Sequence, residues 1–121
     1  MKIPYVNIQK QYKKEKKKLL KVIDNTLDSG NWVGGSEIEK FEKNISKICK
    51  TKYCVSLNSG TDALTLALHL LGVRRGDEVI TPPNSFIAST SVIVHLGAKP
   101  VFVDVKKDQS IDEDKIEEKI T

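Results

Sequence analysis

Five consecutive residues, Asn58-Ser59-Gly60-Thr61-Asp62, offer the clearest chemistry in this 121-residue chain. A glycine-containing turn leads there into an apolar run. If that run is helical, its first N–H groups have no intrahelical partner and face outward. Ser59 and Thr61 add hydroxyls. Such a turn suits a phosphate, which gains hydrogen bonds and the favourable end of the helix dipole. It is not a nucleotide fingerprint, because neither G-x-G-x-x-G nor G-x-x-x-x-G-K-[ST] occurs. The same residues also read as an ordinary helix cap. A second segment, Pro82-Pro83-Asn84-Ser85-Phe86, sets an aromatic just after a rigid loop. Beside a phosphate site that ring can lie on a flat ligand, and it can equally belong to a core. Asp104, at the end of an apolar run, can hydrogen-bond a polar ligand or cap the next turn. Trp32, in Trp32-Val33-Gly34-Gly35, either lines a pocket or interface or packs locally.

Other reactive residue types carry less. His69 and His95 sit in apolar helical runs with no partner at metal-ligand spacing. Cys49 and Cys54 match neither a zinc pattern nor Cys-x-x-Cys. No metal site is expected, and two cysteines make no disulfide framework.

The elements that must position these residues alternate in type. Residues 8–28 read as an amphipathic helix, with Ile8, Tyr12, Leu19, Leu20, Ile23 and Leu27 on one stripe. Ser29-Gly30-Asn31 stops it. A second helix starts at Ser36, where Ser36 and Glu39 suit a capping box. Then come a short strand at 53–57, a helix at 61–71 closed by Gly72, and a strand at 78–81. A helix at 86–96 closed by Gly97 follows, then a strand at 100–105 and a helix at 112–120. Strand–helix–strand at this spacing predicts a parallel sheet with crossover helices, hence an α/β fold. Ligands bind such sheets beyond the carboxyl ends of the strands, where the Asn58, Pro82 and Asp104 segments converge. A sheet this short leaves unpaired apolar edges, so the chain reads as the N-terminal portion of a larger α/β protein.

Composition narrows the class. The chain is 39% hydrophobic and 30% charged, too mixed for a disordered tail. No run approaches a membrane span, and residues 1–7 lack the apolar core of a secretory signal. A cytoplasmic setting is therefore expected. The net charge of +4 hides an excess of +7 in residues 1–21, where eight lysines face Glu15 alone. That excess fits a solvated helix face, or a surface for nucleic acid, an anionic membrane or an acidic partner. Only two of the twenty basic residues are Arg, the side chain that forks onto phosphates and bases. Neither a nucleic-acid nor a membrane partner is expected.

The motifs in their order resemble a known family. Ser59-Gly60-Thr61-Asp62-Ala63-Leu64, Gly76-Asp77-Glu78-Val79-Ile80, Ser85-Phe86-Ile87-Ala88-Ser89-Thr90, Gly97-Ala98 and Pro100-Val101-Phe102-Val103-Asp104-Val105 follow one another. Upstream lie Gln11-Tyr12, Ser29-Gly30, Trp32-Val33-Gly34-Gly35 and Glu39-Lys40-Phe41-Glu42. The whole chain resembles the DegT/StrS family of pyridoxal-phosphate-dependent sugar aminotransferases, of fold type I. Arg74 and Arg75 depart from the family's usual Gly and Pro in a surface turn.

The resemblance implies that residues 1–121 form an N-terminal fragment of the domain that binds pyridoxal 5'-phosphate. Residues 1–50 would supply N-terminal helices and 51–121 the start of the sheet. Gly60, Thr61 and Asp62 would hold the cofactor phosphate, and Phe86 would stack on its ring. Trp32 and Val33 would lie near the substrate entrance of a neighbouring subunit in a homodimer. The substrates would be a nucleotide-linked keto sugar and an amino donor, glutamate or glutamine, in polysaccharide or glycan biosynthesis. The family's Schiff-base Lys and the Asp that protonates the pyridine nitrogen lie beyond position 121, so no catalytic residue is expected in this chain. The alternatives are a sugar dehydratase of the same family and a non-catalytic remnant or interaction module.

Overall fold

The computed structural model describes residues 3–121, so the reading of Met1 and Lys2 lies outside the described residues. The chain divides into two compact units, one ending at Ser56 and one running from Leu57 to Thr121.

The first unit is two helices and a loop. α1 spans Ile8–Asp28, and Asn7 caps it by accepting the Lys10 N–H at 2.9 Å. α2 spans Ser36–Cys49. The expected Ser36–Glu39 capping box does not form. Gly35 takes the N-cap position at φ 90°, which places Ser36 inside the helix, and no side chain caps it. Glu37 binds Lys40 at 2.6 Å instead. α2 ends on Lys50 at φ 54°, and Thr51 donates back to the Ser46 carbonyl at 2.9 Å.

The second unit carries the sheet. α3 spans Gly60–Leu70, β1 Glu78–Thr81, α4 Ala88–His95 and β2 Lys99–Phe102. β1 and β2 pair in parallel, with Glu78 opposite Lys99 and Thr81 opposite Phe102. α4 is the crossover, as the alternating pattern predicts. Its Val92 and Ile93, with Ala98, form a small core against Leu68, Val73 and Val79. Lys99 Nζ meets the Glu78 carboxylate at 2.6 Å across the ladder. That hydrogen bond, and a second from the Thr121 hydroxyl, hold Glu78 below the usual carboxylate range. The pair is intact above that range and is lost as the pH falls through the lowered pKa.

Three elements differ from the sequence pattern. Residues 53–57 form no strand, because no described strand supplies a ladder to them, and Val55 stays exposed. The last expected strand stops at Phe102; Val105 makes an isolated antiparallel bridge to Ile111. The expected helix over 112–120 is two 3₁₀ turns, Glu113–Lys115 and Glu117–Lys119. Glu113 and Glu117, like Asp114 and Glu118, would stack like charges one turn apart in an α-helix. No helix among the described residues is long and apolar enough to cross a membrane.

Gly72 and Gly97 close α3 and α4 as expected, at φ 85° and 76°. After each, the next N–H reaches back to the helix: Val73 to the Leu68 carbonyl at 3.0 Å and Ala98 to Ile93 at 3.1 Å. At Gly97 a Cβ would also stand 3.2 Å from the Arg75 Cβ. Gly97→Ala is therefore expected to cost roughly 1–2 kcal/mol from the left-handed backbone alone. A urea titration should show a lower midpoint at unchanged slope. An unshifted midpoint would contradict this account of the cap.

Candidate functional site

The turn into α3 sorts its donors by hydrogen bonding. Ser59 is extended, at φ −155° and ψ 158°, and occupies the N-cap. Its Oγ accepts the Asp62 N–H at 3.1 Å, and its carbonyl accepts the Ala63 N–H at 3.1 Å. The N–H groups of Gly60 and Thr61 meet no acceptor among the described residues. Ser59 is thus the cap, and the N–H groups of Gly60 and Thr61 are left without an acceptor among the described residues.

The surroundings of those donors are open. A Cβ placed on Gly60 would meet nothing within 4 Å. Thr61 is exposed, and its carbonyl accepts from the Thr65 hydroxyl at 2.9 Å. Asp62 is half-buried in the first turn, where its charge complements the helix dipole. Its own N–H is already held by Ser59, so two free N–H groups and the Thr61 hydroxyl form the donor set.

The loop after β1 presents Phe86. The Phe86 carbonyl accepts the Ser89 N–H at 3.0 Å and the Ser89 hydroxyl at 2.6 Å. The backbone is therefore fixed, while the residue is 77% exposed. A core role for this ring is excluded within the unit. Asn84 Nδ2 donates to Gln109 Oε1, tying this loop to the turn that follows β2. Sequence reasoning missed Gln109. The available signal was the Asp108-Gln109-Ser110 turn, where the Asp108 carboxylate accepts the Ser110 N–H at 3.0 Å and its hydroxyl at 2.7 Å. Gln109 itself sits at φ 71°. Asp104 takes the plainer of its two roles: its Oδ1 accepts the Val105 N–H at 2.8 Å.

Trp32 and Val33 belong to the first unit, in the loop between α1 and α2. The Trp32 indole donates to the Leu27 carbonyl at 3.2 Å, and the residue stays 70% exposed. It lines a cleft of about 520 Å³ with Asn25, Thr26, Ser29, Gly35 and Glu37. Val33 is fully open to solvent. His69 and His95 are exposed, both thiols are free, and no metal-binding cluster occurs among the described residues.

Known proteins share this sequence and this geometry. The chain is 38% identical over 120 residues to dTDP-3-amino-3,6-dideoxy-alpha-D-galactopyranose transaminase of Aneurinibacillus thermoaerophilus, covering 98% of this chain and 33% of that protein. It superposes on S. venezuelae DesV, solved in complex with a ketimine intermediate, with a TM-score of 0.92 and 38% identity over 98% of this chain and 32% of that one. It superposes on NtdA of Bacillus subtilis, solved with bound cofactor PMP, with a TM-score of 0.90 and 36% identity over 99% of this chain and 28% of that one. The chain thus spans about a third of the length of such relatives, and its fold is the expected one of a fold-type-I transferase domain. The model of the DegT/DnrJ/EryC1/StrS aminotransferase family matches residues 13–121, and the chain belongs to that family.

Proposed function

We propose that the protein carrying this chain is a pyridoxal-phosphate-dependent aminotransferase. It moves an amino group from glutamate or glutamine to a nucleotide-linked keto sugar. The observation that carries the reading is the pair of free N–H groups at Gly60 and Thr61, in a chain of this family. They fit a phosphate: two donors and a hydroxyl face open space at the positive end of α3. Gly60 and Thr61 would hold the cofactor phosphate, with Asp62 completing the turn that shapes the site. The exposed Phe86 ring would stack on the pyridine ring, whose electron-withdrawing power is the chemistry the cofactor would supply. Trp32 and Val33 line the substrate entrance of a homodimer. The nucleotide-sugar transaminase among the relatives supports the substrate class.

A titration of the full-length protein with pyridoxal phosphate, followed by the cofactor's absorbance, tests the reading. Saturable binding is expected, together with glutamate-dependent amination of a dTDP- or UDP-linked keto sugar seen by mass. Absence of saturable binding would refute it.

A further inference from the structure

We propose that Glu42 is a positioning residue that fixes the chain leading into the Asn58–Asp62 turn. Among the residues of α2, only Glu42, Ile45 and Ser46 are half-buried; the others are exposed. They stand three and four residues apart and so share one helix face. The Glu42 carboxylate accepts the Ser56 N–H at 2.7 Å, a contact spanning fourteen residues.

Two observations give that bond its weight. Ser56 Oγ is buried and meets no partner among the described residues, so its hydroxyl does not anchor the residue. Glu42 supplies a charged acceptor, which makes a shorter and stronger bond than a neutral one. Ser56 stands three residues before Ser59 in the chain. Once its peptide is held, only Leu57 and Asn58 remain free before the cap whose Oγ and carbonyl fix the Asp62 and Ala63 N–H groups. The consequence for the cofactor rests on the reading of Gly60 and Thr61 proposed above; the ordering of the chain does not.

Amide hydrogen exchange and a pyridoxal phosphate titration, both on the full-length protein, separate the two. In Glu42→Ala the Ser56 amide should exchange about ten-fold faster or more, as expected when a charged hydrogen bond is lost. The Asp62 and Ala63 amides should follow it, and cofactor affinity should fall about ten-fold. Glu42→Gln keeps a neutral acceptor at the same reach and should restore both in part. Glu42→Asp keeps the charge but is one methylene shorter, and should resemble Glu42→Ala; it also serves if the alanine variant fails to fold. Faster exchange confined to Ser56, or unchanged exchange in Glu42→Asp, would overturn the proposal. If the exchange pattern holds while the parent protein binds no pyridoxal phosphate, the positioning role stands and the cofactor reading falls.

Discussion

A purified polypeptide of these 121 residues is expected to catalyse no transamination. The proposed reaction needs a Lys that carries the cofactor and moves the proton. The resemblance places that Lys beyond position 121. The lysines of α1 and those held in ion pairs are unsuited to the task. Those of α1 lie on a helix that buries none of its residues. Lys40, Lys99, Lys106 and Lys115 are held in ion pairs of 2.5–2.9 Å. Glu113 raises the pKa of Lys106 and Asp112 that of Lys115, which stabilises the protonated form that cannot act as a base. Positioned acid–base catalysis is typically worth ~10²–10⁴-fold, and all of it is missing. A coupled assay with glutamate and several nucleotide-linked keto sugars should show turnover indistinguishable from a blank. Turnover that survives removal of host transaminases would overturn this, and would require a base among the lysines present.

Legibility of the sequence followed the reach of the forces involved. α1 was readable because its apolar stripe repeats at helical spacing and Ser29-Gly30 stops it. Gly72 and Gly97 were readable as caps because few other residues adopt φ near 80° without strain. The parallel pairing of β1 and β2 followed from the apolar helix between them. The failures occurred where distant partners or summed charges decide. Tyr53 and Val55 have the residue types of a strand, yet a strand exists only through its ladder. Residues 112–120 have apolar residues at suitable positions, yet they form two 3₁₀ turns in place of one α-helix. At the site, the turn at Ser59 was legible as a donor-rich helix start. Its division into a cap and two free N–H groups depended on one side-chain rotamer, which sequence does not specify. The links from Asn84 to Gln109 and from Glu42 to Ser56 join residues 25 and 14 positions apart, and no local pattern announces them.

Thr61→Val in the full-length protein is expected to weaken pyridoxal phosphate binding ten-fold or more. The substitution keeps the shape of the side chain and removes only the hydroxyl. Thr61 Oγ1 makes no hydrogen bond among the described residues, so its loss leaves no partner stranded there. A hydrogen bond to a charged group is worth about 1.5–3 kcal/mol, and 1.4 kcal/mol is a factor of ten in affinity. The free N–H groups of Gly60 and Thr61 remain, with roughly 0.3–1 kcal/mol from the helix dipole, so binding is reduced and not abolished. Two further variants locate the effect. Phe86→Ala removes an exposed ring and should weaken binding while leaving the phosphate donors intact. Lys17→Ala, on the exposed face of α1, should leave affinity unchanged. The readout is the cofactor's absorbance during titration, with phosphate as a competitor. If Thr61→Val binds as tightly as the parent while Lys17→Ala does not, the phosphate is held by the basic helix and the assignment of Gly60 and Thr61 fails.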